Sequence, residues 1–172
     1  MTAFVALLRA VNVGGTGKLP MTELAAMCTA CGFANVKTYI ASGNVVFVAK
    51  QPEAKVKALL EAKLLAYAGK PVGVMVRTHS ELAAVLASNP FPDAAPNRAV
   101  VLFCDTAPPK DSIARATGCK GEQIVLGKRE IYIHYGSGMA DSKLKLPAMK
   151  GGTARNLNTV AKLTLMLANV TA

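Results

Sequence analysis

The chain reads as a series of short apolar runs punctuated by glycine and proline. Residues 3–9, Ala-Phe-Val-Ala-Leu-Leu-Arg, form a continuous apolar run of the kind that marks a strand buried on both faces. The loop Gly14-Gly15-Thr16-Gly17 follows, and Pro20 suits the first turn of a helix. Leu24, Met27, Cys28 and Cys31 then recur at helical spacing, with Gly32 as the stop. Residues 36–40 and 44–48 are β-rich and flank Ala41-Ser42-Gly43, which predicts a hairpin whose glycine supplies an unusual backbone angle. Pro52 opens a second helix with Val56, Leu59, Leu60 and Tyr67 on one face, and Gly69 closes it. Val72, Val74 and Val76 alternate with Gly73, Met75 and Arg77, a period-2 strand.

The order so far is β-α-β-β-α-β, the ferredoxin-like or split-βαβ pattern. Thr78-x-x-Glu81 is a capping box ahead of Leu82, Val85 and Leu86, and Asn89-Pro90 ends that helix. Pro90, Pro92 and Pro96 mark a connection. A second set of elements then begins. Residues 99–104 read as a strand, and Pro108-Pro109 as the start of a short helix ending at Gly118. Residues 123–126 and 131–135 form a hairpin around Gly127-Lys128-Arg129. Asp141 or Ser142 caps a short helix that Pro147 limits, residues 152–155 give a last short strand, and a terminal helix runs over about residues 158–170. The expected fold is α+β: two packed ferredoxin-like halves (α-β plaits) plus a C-terminal helix. The divisions are 1–78, a connecting helix and proline-rich stretch at 79–97, and 98–172. The doubly apolar central strands predict that the open face of the first sheet is covered.

Composition removes several classes. With 52% hydrophobic and 17% charged residues, the 172-residue chain is not a disordered one. Four cysteines are too few and too scattered for a disulfide-stapled miniprotein. No apolar stretch approaches the roughly 18 residues of a membrane span, and the N-terminus lacks the pattern of a secretory signal. A cytoplasmic location and reduced thiols are expected. The 20 basic and 10 acidic side chains give a formal charge of +10, which points to an anionic partner. The excess is divided: residues 1–78 carry nine bases and three acids, and no acid follows Asp141.

The familiar motifs fail on inspection. Gly17-Lys18 invites a phosphate-loop reading, but Asn12 stands where the first glycine belongs and Leu19 where a hydroxyl should hold magnesium. Pro20 occupies the third glycine of a dinucleotide fingerprint. Backbone N–H groups and Lys18 at a helix start can still hold an anion without a formal motif. Cys28-Thr29-Ala30-Cys31 falls at the end of a helix rather than at the N-terminus where a reactive pair sits, so it reads as buried structural thiols. His79 and His134 flank no nucleophile, Gly136-Ser137-Gly138 reads as a turn, and the cysteines and histidines lack metal-ligand spacing. No metal and no cofactor is called for. With 5% aromatic residues, a base-stacking sheet of the RNA-binding kind is not expected.

Four segments, taken together, carry a resemblance. They are Leu7-Leu8-Arg9-Ala10-Val11-Asn12-Val13-Gly14-Gly15, Thr38-Tyr39-Ile40-Ala41-Ser42-Gly43-Asn44-Val45-Val46-Phe47, Ser142-Lys143-Leu144 and Thr153-Ala154-Arg155-Asn156-Leu157-Asn158-Thr159-Val160. In this order they resemble the bacterial family of unknown function DUF1697. The resemblance implies two packed α-β plaits and transfers no activity. Ala10 stands where the family pattern usually has Gly, Ala41 where Gln is common, and Leu157 where Trp is common. The shared polar residues sit at strand ends and turns, where binding groups are often carried. Arg9, Asn12, Lys18, Ser42, Asn44, Lys143, Arg155 and Asn156 are therefore the candidate anion-binding set. The competing reading is that the Ser and Asn residues only shape turns and caps. The expected function is non-catalytic binding of a nucleotide, a sugar phosphate or nucleic acid. The alternatives are an enzyme acting on a small phosphorylated or carboxylated substrate between the halves, and a protein-interaction module.

Overall fold

The computed structural model describes residues 1–13, 18–136 and 141–170. The Gly14–Gly17 loop and residues 137–140, and with them the predicted turn at Ser137-Gly138, lie outside that set. The chain divides into two compact units, Met1–Leu82 with Lys162–Ala172, and Ala83–Ala161.

In the first unit the order is β1 (Thr2–Leu8), α1 (Met21–Ala30), β2 (Ala34–Tyr39), β3 (Asn44–Ala49), α2 (Glu53–Ala68) and β4 (Val74–Thr78). The strands form one antiparallel sheet in the order β2-β3-β1-β4. The two longest apolar runs take the centre, where both faces are covered. On one face Phe4, Ala6 and Leu8 of β1 and Val45 and Phe47 of β3 join Leu24 and Cys28 of α1 and Leu60 and Leu64 of α2 in a single core. Phe33 stacks on Phe47 with centroids 4.4 Å apart. Each fully buried Leu or Phe contributes about 1.5–3 kcal/mol. On the other face Val5, Leu7, Val46 and Met75 are also buried, as the sequence of these strands requires.

The punctuation behaves as its chemistry dictates. Pro20 and Pro52 are the N-caps of α1 and α2, and Gly69 ends α2 in the left-handed conformation with its N–H on Leu65 O. Thr78 and Glu81 close the capping box at the head of α3 (His79–Ala87): Glu81 accepts from Thr78 N, and Glu81 N donates to Thr78 Oγ1. The hairpin differs in one respect. β2 stops at Tyr39, and Ile40 leaves the strand for the turn with φ of 50°, a costly conformation for a β-branched residue.

The second unit contains β5 (Ala99–Phe103), β6 (Gln123–Leu126), β7 (Glu130–His134) and β8 (Thr153–Asn156); α4 (Leu157–Val170) follows, and from Lys162 onward it belongs to the first unit. Its antiparallel sheet has the order β6-β7-β5-β8. Two expected helices are corrected. Residues after Pro108-Pro109 form a run of turns in place of a helix, with Ser112 N on Pro109 O and Ala116 N on Ile113 O. The segment after Asp141 is extended: Lys145 pairs with Thr117 across an antiparallel bridge, and Ser142 Oγ accepts from Leu144 N instead of capping a helix. Pro147 begins a single 3-10 turn, Pro147–Lys150, and does not end a helix. The local signals were helix starts, but each segment is short and no amphipathic stripe follows to be buried. Gly118 shows what the pairing demands. Its φ is 69°, and a Cβ there would overlap the Lys143 carbonyl.

The two sheets correspond strand for strand. Leu7 faces Asn44 as Phe103 faces Glu130, and Val5 faces Arg77 as Val101 faces Arg155. Leu8 N donates to Gly43 O as Cys104 N donates to Arg129 O. Arg77 and Arg155 are both buried, and each Nη1 donates to the carbonyl of the preceding residue. Thr78 and Asn156 then cap the next helix in turn. The chain thus contains a structural repeat that its residue identities conceal.

Candidate functional site

The first strand ends at Leu8, and Arg9 N donates to Gly73 O at 2.9 Å. This bond seats Arg9 beside the chain entering β4. Gly73 lies against the Arg9 stem, since a Cβ there would be 3.6 Å from Arg9 Cβ and 3.7 Å from Arg9 Cδ. The backbone then reverses through Ala10 and Asn12, both with φ of 56°. Asn12 is a clamp. Its Oδ1 accepts from Leu19 N at 2.6 Å, and its Nδ2 donates to Leu19 O and Ala41 O, both at 2.8 Å. Lys18-Leu19 is thereby held beside residues 9–12.

The end of α2 supplies the third side. Between these segments is a cavity of about 410 Å³. Arg9, Lys18 and Lys70 bring three cations to it, and Val11, Leu19, Leu64 and Val72 give it apolar walls. Tyr67 contributes a half-exposed ring. None of the described residues lining it carries a carboxylate, an imidazole or a thiol. The second unit has a cavity at the corresponding place, past the end of β5 and before β8, of about 240 Å³. By the strand register Asp105 there stands where Arg9 stands in the first unit, and by the same count Ala148 stands for Lys70. None of the described residues lining it is Lys or Arg. The positive charge of the larger cavity is therefore not something the fold requires.

The other predicted residues are placed as follows. Asn44 is buried, and its Nδ2 donates to Tyr39 O and Ser42 Oγ, both at 2.9 Å, inside the β2–β3 turn. Asn156 Oδ1 accepts from Thr159 N at 3.0 Å and caps α4. Lys143 is exposed in the extended segment after Asp141. Arg155 is buried in β8, where Nη1 donates to Thr153 Oγ1 at 2.7 Å, and burial pushes its guanidinium down to about 10. Ser42, Asn44, Lys143, Arg155 and Asn156 do not line the cavity, whereas Arg9 and Lys18 do. Lys70 and Tyr67 had no signal beyond their place after a helix-closing glycine and on the apolar face of α2.

The surroundings of the cysteine pair disfavour the thiolate form. Burial, followed by the charge of Cys31, pushes the Cys28 thiol up to about 12, and burial also raises Cys31. His134 lies beside Phe91, with ring centroids 5.5 Å apart, and neither histidine reaches the cavity. Among the described residues no group of three or more His, Cys, Asp or Glu could hold a metal ion, and no helix is long and apolar enough to cross a membrane.

The model of a family of proteins of unknown function, DUF1697, matches residues 1–132. The chain belongs to the DUF1697 family. The matched segment includes every described residue that lines the larger cavity. A conserved bacterial protein from Streptococcus pneumoniae is similar to this DUF1697 protein at a TM-score of 0.81 and 26% identity, over 96% of this chain and 98% of its own. No curated protein matches.

Proposed function

We propose that this DUF1697 protein binds a small organic anion in the cavity of its first unit and does no chemistry on it. The observation that carries the reading is three cations around a cavity of about 410 Å³ with no acid among its described lining residues. That volume falls in the range of small-molecule sites. Arg9 suits two parallel hydrogen bonds to a carboxylate or phosphate, and the two lysines add point charges. The lack of a carboxylate, imidazole or thiol among those residues leaves only lysine and tyrosine groups for proton transfer, which favours binding over catalysis. A concave site favours a small molecule over nucleic acid, which is held mainly along an extended basic surface. In this reading each unit is a ferredoxin-like plait, complete in the first and reduced to its sheet in the second. The shared strand order supports it.

The test is a thermal-shift and calorimetric screen of phosphate esters and carboxylates against the wild type and the Arg9→Gln/Lys70→Gln double variant. Charged hydrogen bonds are worth about 1.5–3 kcal/mol each, so the double variant should bind at least about tenfold more weakly. Equal binding by the two proteins would refute the site. Steeply salt-dependent anisotropy with a DNA or RNA oligonucleotide, unaffected by the double variant, would favour nucleic acid elsewhere on the surface.

A further inference from the structure

We infer that the ligand of this cavity is an anion with an apolar body, an aryl or branched alkyl phosphate or carboxylate, and not a sugar phosphate. The inference rests on the anion site proposed above and adds what the rest of the cavity selects. Away from the three cations, the lining side chains are aliphatic apart from one phenol, that of Tyr67. A polyhydroxylated body would enter with several donors and acceptors and, once the cations are engaged by the anion, meet only the Tyr67 hydroxyl and backbone groups. Polar groups desolvated without partners are strongly disfavoured. An apolar body loses nothing on leaving water and gains the contacts of Leu64, Val72 and Leu19.

The geometry also orients the ligand. Tyr67 and Ala68 lie in the last turn of α2 and line the cavity. The carbonyl end of a helix carries partial negative charge, which repels an anion. Arg9 and Lys18 come from other segments of the chain. The charged group therefore belongs with the cations Arg9, Lys18 and Lys70, and the body belongs against Leu64, Tyr67 and Val72. Lys70, one residue past the helix cap, offsets the carbonyl charge at the rim.

The repeat argues that this amphipathic character is particular to the first unit. The corresponding cavity of the second unit has about 240 Å³, with Asp105 in the place of Arg9, Ala148 in the place of Lys70 and two prolines, Pro108 and Pro109, in its wall. One topology therefore carries two cavities of different charge, and only the first combines cations with aliphatic walls.

The experiment compares three probes by calorimetry in low salt: phenyl phosphate, glucose 6-phosphate and inorganic phosphate. The wild type should bind phenyl phosphate at least tenfold more tightly than either of the others. Tyr67→Ser, at an exposed position that leaves the core intact, should weaken phenyl phosphate several-fold and leave inorganic phosphate unchanged. Val72→Thr, close to isosteric, should act in the same direction. If all three probes bind alike and all depend on Arg9 and Lys70, the apolar-body inference falls and the anion site stands. If glucose 6-phosphate binds best, the inference is overturned outright. If no probe binds, or binding is indifferent to Arg9→Gln/Lys70→Gln, the anion site falls and the inference with it.

Discussion

Gly43 links the hairpin to the cavity wall, and replacing it with alanine should be costly for two separable reasons. Its φ is 91°, in the region an L-residue enters at a cost of about 1–2 kcal/mol. An added Cβ would also lie 2.6 Å from Val11 Cγ2 and 2.9 Å from Leu8 Cβ, against a comfortable carbon–carbon separation of about 3.5–4.0 Å. Leu8 Cβ is fixed by the strand, whose N–H bonds the Gly43 carbonyl at 2.9 Å, and Val11 is buried with a stiff χ1. Neither neighbour can swing aside, so overpacking adds about 1–3 kcal/mol. Gly32 is the matched control: its φ is 87° and nothing lies within 4 Å of its added Cβ. Gly32→Ala should cost about 1–2 kcal/mol and Gly43→Ala about 2–5 kcal/mol. In urea, followed by circular dichroism, a slope near about 2 kcal/mol per molar puts the Gly43→Ala midpoint lower by about 1–2.5 M. The Gly32→Ala midpoint should fall by about half as much. Equal midpoints for the two variants would mean that the close approach of hairpin and first strand contributes nothing, and the account of this corner would be wrong.

Three further outcomes are expected. Ala10 holds φ of 56° at an exposed position, so Ala10→Gly should raise stability by about 0.5–1 kcal/mol, the relieved strain less the greater chain entropy of glycine, measured by the same urea titration. Iodoacetamide labelling followed by mass spectrometry at pH 8 should modify the exposed Cys119 first and the buried Cys28 last. Because the folded state raises the Cys28 thiol to about 12, its contribution to stability is complete below pH 9. It should fall as pH rises from 9 towards 12, a slope that Cys28→Ala removes.

The elements of the first unit were legible because their signals are local and agree with one another. A doubly apolar run, a proline at a helix start and a glycine at a helix end each act within a few residues, and β1, α2 and the Thr78–Glu81 capping box follow directly from them. The second unit is less legible where one signal stands alone. Pro108-Pro109 and Ser142 are plausible helix starts, but Thr117 and Lys145 pair across 28 residues of sequence, and no local pattern announces that pairing. The site was half legible for a related reason. Asn12, Ser42, Asn44 and Asn156 are the residue types that bind ligands, and they are equally those that hydrogen-bond nearby backbone. The structure shows each of them in a turn, clamp or cap.

By itself, then, the sequence determined the family, the α+β class, most of the strands and helices, and the excess of positive charge. These depend on composition and on spacings of two to four residues, which the chain states directly. Tertiary structure alone decided which charges meet. Arg9, Lys18 and Lys70 are separated by up to 61 residues and share one cavity because β1 lies beside β4 and Asn12 ties its loop to Leu19. It also gave the repeat, legible as an order of elements, its residue-by-residue register, because strand pairing and buried arginines persist where residue identity does not. Backbone pairing constrains which way a side chain faces more than it constrains what that side chain is. That difference leaves an arginine at the end of one first strand and an aspartate at the end of the other.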